Sequence, residues 1–166
     1  MANGSEFPSP KALLFDIGRV IVRVDVRRAA EPLGVAAGMA PAEIWRAIET
    51  DPRWSDWQEG RMSIQEWHEH LTRRFGVRLG FEEFCEVWNR ALNPETVLAE
   101  KQFAELGRRF RLALLSNTDP IHVAHMEGNF AFPRHLLARI FNTSPNSSLA
   151  PMVSRSYCAQ QNGQRP

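Results

Sequence analysis

The spacing of apolar residues changes along this chain, and each change marks a different element. Near the start, Ala12-Leu13-Leu14-Phe15 is a short continuous apolar run that ends at Asp16, Ile17 and Gly18. Such a run predicts a strand buried on both faces of a parallel sheet. An acid and a glycine at its C-terminal end fit the place where open α/β sheets keep their chemistry. Over residues 26–94 the apolar residues recur at three and four: Ile64, Trp67, Leu71 and Phe75, then Phe81, Phe84, Val87 and Trp88. That is a helical period. VRRAAEPL, APAEIWRAIET, SIQEWHEHLTRRF and GFEEFCEVWNRAL read as helices, punctuated by Gly34, Gly38, Gly60, Gly76 and Gly80. Ser63, three residues before Glu66, is a capping-box signal. The stretch shows no convincing strand and reads as a helical insertion.

Pro94 is expected to open a further helix, with Val97, Phe103 and Leu106 as its apolar markers and Gly107 near its end. Phe110–Leu115 is a second strand candidate. It runs into Ser116-Asn117-Thr118-Asp119-Pro120 and a helix from His122 to Asn129. A strand, small polar residues and a helix start form the sequence signature of a phosphate-binding turn, with free N–H groups and the helix dipole facing an anion. Ala138–Phe141 is a third, short strand. Beyond it the pattern stops: of the last 25 residues, 14 are Ser, Asn, Gln or Pro. This composition predicts a disordered tail over 142–166, and residues 1–10 read as a flexible start.

Composition narrows the partners. At 43% hydrophobic the 166 residues can bury a core. A formal charge of +1 gives no reason to expect nucleic acid or an acidic membrane. No apolar run reaches the ~18 residues of a membrane span. Cys85 and Cys158 make neither a disulfide framework nor a zinc site. The opening MANGSEFPSP lacks the regions of a signal peptide, so a cytoplasmic location is expected. His68, His70, His122 and His125 read as surface or packing residues. Two arginine-rich details matter more: 18 of the 20 basic residues are Arg, and the two lysines are Lys11 and Lys101. After Asp119 the only acid is Glu127.

The two strand ends, FDIGRVIV and LLSNT, with helices between them and the turn Gln58-Glu59-Gly60-Arg61-Met62-Ser63, resemble the haloacid dehalogenase (HAD) superfamily of aspartate-nucleophile hydrolases. The similarity covers roughly residues 11–141 and is nearest in flavour to its sugar-phosphate phosphatase-like members. It implies an α/β fold: a Rossmann-like core from 11–24 and 95–141 with an α-helical cap over 25–94. By resemblance, Asp16 is nucleophile and metal ligand, and the Gly18 carbonyl is a second ligand to Mg²⁺. Ser116 and the Asn117 amide hold phosphoryl oxygens. Ile17, Gly18 and Arg19 line the phosphate side, and Trp54 or Trp57 lines the substrate entrance. The implied substrate is a small phosphorylated metabolite.

The departures from the family lie downstream. Position 18 carries glycine where many members have a proton-transferring aspartate. The motif III lysine and motif IV acidic pair have no counterparts after LLSNT. The resemblance stops near Phe141, and the tail reads as an unrelated end, such as a frameshift or splice product would make. An incomplete core predicts weak or absent turnover. Without a motif IV strand, Ala12–Phe15 becomes an exposed apolar edge open to self-association. The alternative reading is a non-catalytic fragment that binds protein.

Overall fold

The protein is described by a computed structural model that covers residues 10–136 and 138–141. The expected flexible start before Pro10 and the tail from Asn142, with Cys158 in it, lie outside the described residues. The elements run β1 (Ala12–Phe15), β2 (Val22–Val24), α1 (Arg27–Ala37), α2 (Pro41–Glu49), α3 (Trp54–Gln58), α4 (Ile64–Phe75) and α5 (Phe81–Asn89). Then come β3 (Leu92–Thr96), α6 (Glu100–Arg109), β4 (Arg111–Ser116), α7 (Pro120–Asn129), a 3₁₀ turn (Phe132–His135) and β5 (Ala138–Phe141).

β1, β4 and β5 form a parallel sheet in the order β1-β4-β5. Its register sets Leu13 beside Leu112 and Phe15 beside Leu114. Those four side chains share one face, and they meet Phe103 of α6 and Met126 of α7 in one apolar cluster. The other face of β1 corrects the expectation of two-sided burial: Leu14 is 60% exposed. Among the described residues β1 has a neighbour on one side only and nothing covers Leu14.

The helices α1 to α5 form a separate unit with its own core. Leu33, Ile44, Ile48, Trp57, Trp67, Leu71, Phe84 and Trp88 are fully or almost fully buried there. Trp57 stacks on Trp67 at 5.4 Å between centroids, and Trp88 meets both edge-on at 6.2 Å. Such pairs add to the area they bury. The Ser63 capping box forms as expected: Glu66 N–H donates to Ser63 Oγ at 3.2 Å, and Ser63 N–H to Glu66 Oε2 at 2.7 Å. α7 joins the two units, since Ile121 sits in the helical core and Met126 in the sheet core.

Several boundaries differ from the sequence reading. Gly34 lies inside α1, which runs on to a left-handed Gly38 with φ of 66°. Gly34 is small for a packing reason, since a Cβ there would meet the Met39 carbonyl oxygen at 2.7 Å. Pro94 opens no helix. It lies in β3, which pairs antiparallel with β2 through Val22–Thr96 and Val24–Leu92. In a two-stranded ladder every strand is an edge, where proline is tolerated. Residues 92–94 thus belong to a two-stranded antiparallel ladder rather than to the helical stretch. α6 starts at Glu100, after Ala99 N–H donates to Gln102 Oε1 at 2.8 Å, and it runs past Gly107 to Arg109.

Candidate functional site

Parallel pairing brings the C-terminal ends of β1 and β4 to the same edge of the sheet. Ser116 Oγ donates to Asp16 Oδ1 at 2.7 Å, joining residues 100 apart in sequence. The Ile17 N–H donates to the same oxygen at 2.7 Å. Ser116 is buried and Asp16 is exposed, so the acid faces outward while its partner is fixed in the wall.

After Asp16 the chain folds tightly on itself. The Ile17 carbonyl accepts N–H groups from Val20, Ile21 and Val22 at 3.2, 2.8 and 3.0 Å, and Arg19 N–H donates to the Val22 carbonyl at 2.8 Å. Arg19 takes φ of 63° to make this turn. A left-handed non-glycine residue costs on the order of 1 kcal/mol, and such strain concentrates in site loops. Gly18 is different. A Cβ there would meet only Val24 Cγ2, at an ordinary 3.9 Å. Packing leaves room for a side chain at the position where the family resemblance carries aspartate.

A cavity of about 160 Å³ lies between these loops and the helical unit. Ile17, Gly18, Ser116, Asn117 and Thr118 line it from the sheet side, and Trp45, Trp54, Gln58 and Trp88 from the helices. Asp16 is not in the lining but is tied to the wall through Ser116. The structure thus brings Ile17, Gly18, Ser116, Asn117 and Trp54 around one space. Arg19 is exposed and outside the lining. Trp57 is corrected: it is 0% exposed, stacked in the helical core, and does not reach the cavity. Trp54 and Trp57 sit on one short helix, and only the tertiary packing decides which of them faces the space.

The start of α7 holds a group that the sequence reading missed. Asp119, 3% exposed, caps the helix, its Oδ1 accepting from His122 N–H at 3.0 Å. Its Oδ2 is 2.8 Å from His122 Nδ1 and accepts from Trp88 Nε1 at 3.0 Å. Burial opposes charge on both groups. The His122 ring and the hydrogen bonds nevertheless hold Asp119 below the usual carboxylate range. The Asp119 carboxylate in turn raises His122 above the ordinary histidine value. The helix start expected to face a bound anion is therefore already occupied by the chain's own carboxylate. An Asp-x-x-His pair at a helix start was the available signal, but its third member, Trp88, lies 31 residues away. The other histidines pack: His68 Nε2 is 2.9 Å from the Leu79 carbonyl, and His70 Nε2 is 2.9 Å from Asp51.

Among the described residues no group of three or more His, Cys, Asp or Glu is placed to hold a metal ion. Near the cavity the donors for a hard cation are the Asp16 carboxylate and the Gly18 carbonyl, since Asp119 is committed to His122 and Trp88. That set fits a Mg²⁺ ion only if water and phosphate oxygens supply most of its ligands. Among the described residues no helix is long and apolar enough to cross a membrane.

No family model matches the sequence, and no curated protein matches it. Solved structures do match the fold. A HAD family enzyme from Bacteroides thetaiotaomicron superposes with a TM-score of 0.68 at 20% identity, covering 78% of this chain and 67% of that one. The same enzyme in complex with magnesium and inorganic phosphate gives 0.67 at 19% identity, with the same coverage. A predicted HAD-like family hydrolase from Porphyromonas gingivalis gives 0.65 at 19% identity, covering 78% of this chain and 65% of that one. The chain has the fold of these HAD enzymes and spans about two thirds of their length.

Proposed function

We propose that the chain is a HAD-like hydrolase of small phosphate esters, with Asp16 as its nucleophile and the helical unit as a cap over the site. The observation that carries this reading is the 2.7 Å contact between Asp16 and Ser116 at two adjacent strand ends. In the proposed reaction an Asp16 oxygen attacks phosphorus and the ester oxygen leaves with its electron pair. Water then hydrolyses the aspartyl phosphate, so one difficult step becomes two easier ones. When the ester binds, the Ser116 hydroxyl turns its single O–H from Asp16 to a phosphoryl oxygen, and the Asn117 amide donates to another, where charge develops. Mg²⁺ would be held by Asp16 and the Gly18 carbonyl and would neutralise phosphoryl charge. The similar Bacteroides enzyme was crystallised with magnesium and phosphate.

Turnover is proposed to be slow. Gly18 offers no proton-transfer group. The leaving group then departs without a positioned acid, a loss worth typically 10²–10⁴-fold. The cavity walls suit a small ester with a neutral leaving group, because the acid and the base among the described lining residues, Asp119 and His122, are paired with each other. The test is hydrolysis of an aryl phosphate with and without Mg²⁺. Asp16→Asn is expected to lower the rate roughly a hundredfold or more, and equal rates in both proteins would overturn the reading.

A second reading, a non-catalytic protein that associates through its sheet, is favoured by the exposure of Leu14 on the unpaired side of β1. It expects a concentration-dependent dimer or larger species in sedimentation, and a strictly monomeric chain would exclude it.

A further inference from the structure

His122 has an acceptor on each side of its ring. Nδ1 faces Asp119 Oδ2 at 2.8 Å, and Nε2 faces the Trp88 carbonyl at 3.2 Å. Neither partner can donate. A neutral imidazole carries one N–H, so it would leave one nitrogen lone pair against an oxygen lone pair. Both contacts are made together only when the ring holds two protons. Trp88 closes the loop from its other end, because its Nε1–H donates to the same Asp119 oxygen. One residue of α5 is thus held through its indole by the carboxylate and through its backbone by the imidazolium.

The surroundings favour this charge arrangement. Trp88 is in the last turn of α5, whose dipole favours a cation, and Asp119 is at the start of α7, whose dipole favours an anion. The other titratable group near His122 is His125, one turn along the same helix. Burial and the charge on His122 hold it below the ordinary histidine value. On α5, Glu82, Glu83 and Glu86 are exposed, and Cys85 packs into the helical core. Ser116, Asn117 and Thr118 do not titrate in the neutral range, and the sheet core beneath Met126 is apolar.

We propose that His122 and Asp119 are positioning residues that form a protonation-controlled latch, fixing the Trp88 wall of the cavity to the Ser116–Asp119 loop while His122 is an imidazolium and releasing it when the ring loses a proton. Losing that proton leaves either a buried carboxylate without its cation or a buried carbonyl without its donor. Each is costly for groups as buried as Asp119 and Trp88. The sign follows from the raised histidine: the latch is complete below about pH 6.5 and is lost as pH rises through the higher value in the folded chain. The proposal does not require Asp16 to be a nucleophile, so it stands or falls separately from the hydrolase reading.

The test is proton–nitrogen NMR of the full chain from pH 5.5 to 9. The Trp88 indole signal is identified as the one missing in Trp88→Phe. His122 is expected to titrate with a midpoint above about 6.5. Through that titration the Trp88 indole N–H should shift, and its exchange with solvent should accelerate about tenfold or more beyond the base-catalysed rise shared by the other indoles. His122→Gln should abolish this pH response, and Asp119→Asn should move the His122 midpoint below the ordinary value. A Trp88 indole indifferent to His122 titration, or a parent midpoint at or below 6.5, would overturn the proposal. The parent titration alone decides the matter if a variant fails to fold.

Discussion

The helical unit and the sheet unit are built to different standards. The helical unit closes on itself: Trp57, Trp67, Phe84 and Trp88 are almost wholly buried, its α4 start is capped on both sides, and Gly38, Gly60 and Gly76 turn its tight corners. The sheet unit packs one face of β1 and β4 and, among the described residues, leaves Leu14 exposed at an edge. Yet the candidate chemistry lies on the sheet side, at the ends of β1 and β4, and the helical unit contributes only walls. Stability and reactivity are thus assigned to different parts of one chain. α7 spans the seam, with Ile121 in one core and Met126 in the other.

The comparison is tested most severely at the centre of the helical core. Trp67→Ala removes a ring stacked on Trp57 and edge-on to Trp88, and it should cost about 3–5 kcal/mol. A urea titration followed by tryptophan fluorescence would measure this loss. A cost below 1 kcal/mol would show that the helical unit is not where stability resides. Gly34→Val comes next. Its Cβ would meet a backbone oxygen at 2.7 Å, and backbone cannot yield as a flexible side chain does. A loss of about 1–3 kcal/mol is expected in the same titration. The smallest effect on stability is expected at the open edge. Leu14→Lys should change stability by no more than about 0.5 kcal/mol, while a charge on an edge strand opposes pairing with another chain. Sedimentation velocity of the two proteins at matched concentration would detect the reduced association. An unchanged profile would remove β1 as the contact.

How much of this was readable beforehand follows the range of the interactions. The α4 capping box joins Ser63 and Glu66, three residues apart, and both partners were visible in the sequence. The strand ends at Asp16 and Ser116 were visible as apolar runs stopping at polar residues, and the resemblance to HAD enzymes paired them. β3 was not visible. It is five residues containing Pro94, and only its tertiary partner β2 makes it a strand. The exposure of Leu14 escaped a local reading, because a continuous apolar run looks the same whether one face or two are covered. The Asp119, His122 and Trp88 network joins residues 31 and 34 positions apart, and neither helix alone announces it. The same limit let Trp57 pass as a cavity residue.

The central claim is that Asp16, held by Ser116, attacks phosphorus. Borohydride reduces an aspartyl phosphate to homoserine, so the nucleophile can be identified directly. The chain would be incubated with an aryl phosphate and Mg²⁺, trapped with borohydride, digested and mapped by mass spectrometry. The account predicts homoserine at position 16 and none in the Asp16→Asn variant. Phosphate release with Asp16 unmodified, or with a phosphoryl group on Ser116 instead, would contradict it.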